Sequence, residues 1–328
     1  MNGARREFSR RDFIALGTGT LVVLSLPRAA AGRRRMLTRR TVPSMGSFAE
    51  LVVVSDDRRL AEAAIDAAIG ELRAVEDRLT RFRPDSDVGR ANRARAGAAV
   101  SVSPETATAL EASLAWARRT DGRFDPCLER AIDLWDVASR REPPGAMAVR
   151  RFAGRRLYRA LEIERRGVMD AVRLHDVAAR IDLGGIGKGL GVDRAVAALR
   201  EHGVRDALVN LGGDLYAMGA SDDGNPWEIG IRSPTDPARV EASIRLTDSA
   251  VATSGDYVQY FDHAGRRYHH LIDPMTGEPG RPAWHSLTVT APSCLAADAA
   301  ATALFASEPV DASRLLNGWE PAAAIVAG

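Results

Sequence analysis

The run Ile181-Asp182-Leu183-Gly184-Gly185-Ile186-Gly187-Lys188-Gly189-Leu190-Gly191-Val192-Asp193 packs five glycines into eight residues. It follows a segment read as a strand and opens one read as a helix over about 188–202. Bare backbone amides at that junction can approach an anion closely, and a helix N-terminus favours negative charge. A tight turn that only lets the helix pack closely would use the same glycines. The spacing excludes a Walker A loop, because Asp182 stands where the first glycine is needed and Gly189 where Ser or Thr must be. It also fails the dinucleotide pattern G-x-G-x-x-G.

Lys188 sits inside this run and is the only lysine in the chain; the other 44 of the 45 basic side chains are arginines. A lysine is a compact point charge that fits beside a phosphate or a cofactor ring edge where a planar guanidinium does not. The formal net charge of +2 divides unevenly. Residues 1–40 hold ten arginines against Glu7 and Asp12, which leaves the rest of the chain with 35 basic and 41 acidic residues. A body of that balance has no global pull toward nucleic acid. A length of 328 residues allows one large domain or two modest ones, and 45% hydrophobic with 27% charged residues is ordinary globular composition. Cys127 and Cys294 are too few for a disulfide framework or a cysteine-built zinc site.

The basic character belongs to a leader. Ser9-Arg10-Arg11-Asp12-Phe13-Ile14 precedes an uncharged, mostly apolar run to Pro27, followed by Arg28-Ala29-Ala30-Ala31-Gly32. Paired arginines, an apolar stretch and small residues at the cut predict a twin-arginine (Tat) signal over 1–31, which exports folded proteins. The apolar run falls short of the ~20 residues that span a bilayer. No cysteine follows it, so no lipid anchor is expected. Residues 32–43 read as a disordered basic stub, and 44–328 as one domain exported to the periplasm or cell-envelope exterior.

Along that domain, apolar spacing predicts a strand at Leu51–Val54 and an amphipathic helix from Asp56 to about Phe82. A second helix, capped by Ser103, runs to about Arg119. Residues 139–156 read as an exposed connection. Strand-like runs at 174–183, 206–211, 214–219, 227–232, 243–247 and 285–291 are interrupted by helices at about 188–202 and about 294–307. The order predicts an α+β fold of mixed, largely antiparallel sheets with flanking helices.

Two further clusters carry chemistry. Thr253-Ser254-Gly255-Asp256-Tyr257 precedes Tyr268-His269-His270-Leu271-Ile272-Asp273-Pro274-Met275-Thr276-Gly277. In a strand His269 and His270 face opposite ways, so one at most enters a given site. Ser254 lacks the G-x-S-x-G elbow, which disfavours a Ser-His hydrolase. Asp298 and Thr302 are four apart and share a helix face. They form an oxygen-only pair suited to Mg²⁺, and read alone they equally describe a solvated helix cap.

Taken in order, these segments resemble the FAD:protein FMN transferase family, the ApbE proteins. The resemblance rests on Met45-Gly46-Ser47, Phe82–Asn92 (FRPDSDVGRAN), Gly122–Pro126 (GRFDP), Ile181–Asp193, Val209–Asp214 (VNLGGD), Ala252–Tyr257 (ATSGDY), Tyr268–Gly277 and Ala297–Leu304 (ADAAATAL). It implies an ApbE-like fold and an enzyme that moves the FMN half of FAD onto a threonine hydroxyl of an acceptor protein, releasing AMP. By the same resemblance Met45, Phe82, Arg123, Phe124, Asp125, Asp182, Lys188 and Ile272 hold FAD, while Gly185 (by its carbonyl), Asp298 and Thr302 ligate Mg²⁺. His270 is the candidate proton acceptor, working near its ordinary pKa of about 6.5. The implied partner is a membrane or exported redox subunit. FAD hydrolysis to FMN and AMP, and FAD storage without catalysis, are the alternatives.

Overall fold

A computed structural model of the chain describes residues 21–23, 35–166, 169–236, 239–257, 259–281, 284–305, 309–316 and 323–327. Its centre is a seven-stranded sheet, ordered β15-β14-β11-β8-β7-β3-β2. The strands are β2 (Leu37–Ser44), β3 (Ser47–Val54), β7 (Asp206–Leu211), β8 (Asp214–Met218), β11 (Ser249–Gly255), β14 (Ser286–Ala291) and β15 (Ala323–Ala327). Every neighbouring pair in it is antiparallel.

The sequence alternation of these strands divides the core in two. In β3, Leu51 and Val53 face one apolar cluster while Val52 and Val54 face another. Likewise Val209 and Leu211 of β7 oppose Leu208, and Ala250 and Ala252 of β11 oppose Val251. A period of two along an extended chain requires this. The first face packs on helices α1 (Arg58–Leu79), α6 (Gly187–Glu201) and α7 (Cys294–Phe305). The second packs on a three-stranded sheet of β1 (Leu21–Val23), β9 (Trp227–Arg232) and β10 (Val240–Leu246). A small sheet of β4 (Val100–Val102), β6 (Asp170–Leu174) and β5 (Leu161–Glu164), and a hairpin of β12 (Tyr260–His263) and β13 (Arg266–His269), complete the described strands. The α+β expectation holds, with antiparallel sheets and helices flanking one face.

The helices follow their sequence signals closely. Asp57 caps α1, its carboxylate accepting from the amides of Arg59 and Leu60 at 2.9 and 3.1 Å. Helix α3 (Pro104–Arg119) starts after Ser103 as expected, and Asp87 braces that cap by accepting from the Ser103 amide at 2.8 Å.

Two expectations are corrected. The stub expected over 32–43 is ordered from Leu37 onward, because β2 pairs with β3 in register from Leu37↔Val54 to Ser44↔Ser47. Arg39 and Arg40 are the charges of an edge strand, paired with Glu50 and Asp66, and such charges keep an edge from pairing with another chain. The strand expected at 174–183 is only β6, which ends at Leu174. Beyond it the chain is held by side chains and turns: Asn92 donates to the Ile181 carbonyl at 2.8 Å and accepts from its amide at 2.7 Å. The Asp182 amide donates to Pro126. The connection 139–156 contains the short helix α5 (Ala146–Arg150). Of the leader expected over 1–31, only Leu21–Val23 lies among the described residues, and it runs antiparallel to β9.

Candidate active site

The helical face of the central sheet is where the singled-out residues meet. Helix α6 begins in the glycine run and crosses α7 at backbone contact distance. A Cβ on Gly189 would stand 2.8 Å from the Leu295 Cα and closer still to the Cys294 carbonyl oxygen, so only glycine fits there. The close crossing brings the Gly189 amide to the Asp298 carboxylate at 3.0 Å. Asp193, one turn further along α6, caps α7 by accepting from the Cys294 and Leu295 amides at 2.7 and 2.9 Å. Gly185 lies against the other ligand candidate: a Cβ on it would meet the Thr302 side chain at 2.7 Å. Ser254 of β11 adds its hydroxyl 3.4 Å from the Thr302 hydroxyl.

Lys188 completes the cluster. Its ammonium pairs with Asp214, at the start of β8, and lies 3.6 Å from Asp298. Burial works against its charge, but the two carboxylates outweigh it and hold its pKa above the ordinary lysine value. Asp214, buried and beside Asp298, is pushed up for the same reasons in reverse, with Lys188 opposing the shift. The arrangement is one cation between two carboxylates, with backbone amides and hydroxyls around it. Among the described residues no three His, Cys, Asp or Glu side chains cluster as a metal site. The donors beside Thr302 are instead a carboxylate, hydroxyls and the backbone of Gly185, all hard oxygen ligands of the kind Mg²⁺ takes.

His270 follows directly after β13. Its amide donates to the Gln259 carbonyl at 3.1 Å. Burial pushes its pKa down to about 4, and the charges of His269 and Lys188 push the same way. His269, the last residue of β13, is buried. The expectation of an ordinary pKa near 6.5 is therefore revised: His270 is neutral at pH 7 and a weaker base than free histidine.

The expected flavin contacts divide. Met45 occupies the β2–β3 turn at φ +48°, and its Cε would stand 2.9 Å from a Cβ on Gly191. Asp182 is tied to the loop by the Gly184 amide at 2.8 Å and to Arg81 by an ion pair of 2.7 Å. Phe82 is 77% exposed, with the Arg81 guanidinium 4.4 Å from its ring centroid, and so offers an open aromatic face. Ile272 is partly buried and bridges to Pro279. Arg123 is exposed. Phe124, in contrast, is a core residue. Both Asp125 oxygens are committed to backbone amides, of Cys127 at 2.9 Å and Tyr158 at 3.1 Å. Asp125 thus braces the turn, and burial raises its pKa to about 6.

Sequence reasoning passed over Asp214 and Arg81. Asp214 stood in the quoted VNLGGD run, and a carboxylate ending two glycines after a strand was a signal that could have been pursued. Arg81 bridges Asp182, Asp133 and Glu129, the last two on α4 (Glu129–Trp135), and no local pattern announces it.

The chain is 31% identical over 271 residues to a FAD:protein FMN transferase of Vibrio cholerae, covering 80% of this chain and 79% of that protein. It is 33% identical over 281 residues to one of Treponema pallidum, covering 79% and 78%. Among solved structures, the ApbE protein of Thermotoga maritima superposes with a TM-score of 0.78 at 29% identity, covering 89% of this chain and 94% of that one. The flavinyl transferase ApbE of Pseudomonas stutzeri, apo form, gives 0.76 at 30% identity, covering 90% and 92%. The ApbE family model matches residues 45–326, and the chain belongs to the ApbE family.

Proposed function

We propose that this chain is a FAD:protein FMN transferase: it moves the FMN half of FAD onto a threonine hydroxyl of an acceptor protein and releases AMP. The observation that carries the reading is the junction of α6 and α7, where Lys188 and Asp298 pair and Gly185 lies against Thr302. The threonine oxygen attacks the phosphorus on the riboflavin side of the pyrophosphate, and the bond from that phosphorus to the bridging oxygen breaks. AMP leaves with that oxygen, and the hydroxyl proton passes to the His270 ring, which is neutral at pH 7. Asp298, Thr302 and the Gly185 carbonyl would hold Mg²⁺, which neutralises phosphate charge when bound. Lys188 adds a fixed positive charge, and the exposed ring of Phe82 offers a stacking face to a flavin or adenine ring. Met45, Asp182 and Ile272 shape the remaining walls.

The twin-arginine leader supports export of the folded enzyme, with residues 44–328 forming the catalytic domain outside the cytoplasmic membrane and the acceptor a membrane or exported redox subunit. Incubation of the chain with FAD, Mg²⁺ and a candidate acceptor should give a fluorescent acceptor band. Free FMN with no band across several acceptors would replace transfer by hydrolysis. Asp298→Ala should abolish Mg²⁺-dependent turnover while the protein stays folded; full activity in that variant removes the metal assignment.

A further inference from the structure

Lys188 faces two carboxylates that are held firmly, while the lysine itself is not. Asp214 opens β8 straight after the Gly212-Gly213 turn, where both glycines take positive φ, +63° and +102°, and Leu211 pairs with Asp214 across it. A two-residue turn of this kind fixes the register of its strands, so the Asp214 carboxylate is a rigid anchor. Its Oδ2 pairs with the Lys188 ammonium. Asp298 divides its oxygens: Oδ2 accepts from the Gly189 amide at 3.0 Å, and Oδ1 stands 3.6 Å from the ammonium. The Asp214 and Asp298 side chains are closed off, at 3% and 4% exposed, while Lys188 keeps 28%. The group able to move is therefore the lysine, a point charge on a flexible stem.

Charge balance couples that movement to a ligand. Two carboxylates and one ammonium leave this buried cluster with one net negative charge. A divalent cation added alone would compete with the ammonium for Asp298 and reverse the sign of the cluster, which burial disfavours. The same cation arriving with a pyrophosphate dianion restores the balance, and the phosphate oxygens give the ammonium a new partner. The donors fit such a cation, because the Asp298 carboxylate, the Thr302 hydroxyl and the Gly185 carbonyl are all hard oxygens. Burial works against the charge of the ammonium and the carboxylates overcome it, so the lysine gives way by turning aside and not by losing its proton.

We propose that Lys188 is an internal counter-cation: anchored by Asp214, its ammonium covers the Oδ1 of Asp298 in the FAD-free protein, and Asp298 is freed for a metal when the pyrophosphate of FAD draws the ammonium aside. Asp214 is thus a positioning residue, acting on the site through Lys188. The inference deepens the transferase reading and rests on its metal assignment. It makes binding ordered, with dinucleotide and metal entering together and a metal alone excluded.

The test reads metal binding directly, on the full-length chain without FAD, by electron paramagnetic resonance with Mn²⁺ as the probe. Lys188→Met should bind Mn²⁺ about tenfold more tightly than the unaltered chain, because Asp298 is uncovered. Asp214→Asn should bind it about tenfold more weakly, because the ammonium, released from its anchor, turns wholly to Asp298. Loss of structure would weaken both variants alike, and Lys188→Gln repeats the first measurement should the methionine variant not fold. Lys188 is also the only lysine, so the unaltered chain labelled with ¹³C-lysine gives one lysine side-chain signal by NMR. That signal should move with FAD alone and stay with Mg²⁺ alone. No gain of Mn²⁺ affinity in Lys188→Met, equal or tighter binding in Asp214→Asn, or a lysine signal that moves with Mg²⁺ alone or stays with FAD would each overturn the proposal. None of these readouts measures transfer, so the inference can fail while FMN still reaches the acceptor; failure of the transferase reading shows instead as no flavinylated acceptor.

Discussion

Lys188 is the residue at which this chain abandons arginine, and its surroundings give a reason. The ammonium stands between Asp214 and Asp298, and a Cβ on Gly212 would come 3.7 Å from the lysine Cδ. A guanidinium is wider, planar and directional, and cannot serve both carboxylates from one point. Lys188→Arg should therefore weaken FAD binding by about tenfold, read from quenching of flavin fluorescence; unchanged affinity would make the lone lysine incidental. His270 gives a second prediction at this scale. Its pKa lies below the unperturbed histidine value, so the folded site favours the neutral ring, which takes up its proton only as pH falls through about 4. NMR titration of the ligand-free enzyme should show one imidazole with that low midpoint, lost in His270→Gln. A midpoint near 6.5 would contradict the burial argument. The sequence revealed Lys188 through rarity and His270 through its motif. It could not reveal that Asp214, 26 positions from Lys188, closes on it, because that contact is made by sheet order.

At the scale of elements, the helix crossing is what assembles the site. Gly189 lets α6 and α7 touch, Asp193 caps α7, and Asp298 is thereby held against the Gly189 amide. Gly189→Ala forces the two backbones apart. Overpacking of this kind costs about 1–3 kcal/mol, and here it also moves Asp298 away from Lys188. Urea denaturation should show that loss, and the FMN-transfer assay should show a fall in turnover. Gly70→Ala is the internal comparison, since that position in α1 has open space and the substitution should gain about 0.5–1 kcal/mol from helix propensity. Similar behaviour of the two variants would refute the crossing argument. The same contrast marks what was legible. Helices α1 and α3 carried their own signals in apolar spacing and caps, because those are local. The segment after β6 did not, because its backbone is satisfied by Asn92 from a distant helix, α2 (Asp87–Arg93). Strand β2 was hidden for another reason: a run of arginines reads as solvated chain, and only its place at the sheet edge turns those charges into part of a strand.

The molecule is layered so that the candidate site and strand β1 lie on opposite faces of the central sheet. The helical layer carries Lys188, Asp298 and Thr302, while β1, within the expected leader, joins β9 on the far layer with Leu21 fully buried. Register from Leu21↔Ile231 to Val23↔Ile229 fills the edge of β9 that processing after residue 31 would open. Burial of one leucine contributes about 1.5–3 kcal/mol, offset by about 1–2 kcal/mol per residue for fixing the strand backbone. The net effect of removal on global stability is therefore small, within about 2 kcal/mol, and the larger effect is local. A chain lacking residues 1–31 should keep its FAD affinity and lose hydrogen-exchange protection at the β9 amides that face β1. Reduced FAD affinity would mean that the two faces are coupled through the sheet. Unchanged exchange would mean that β1 does not hold β9 in solution.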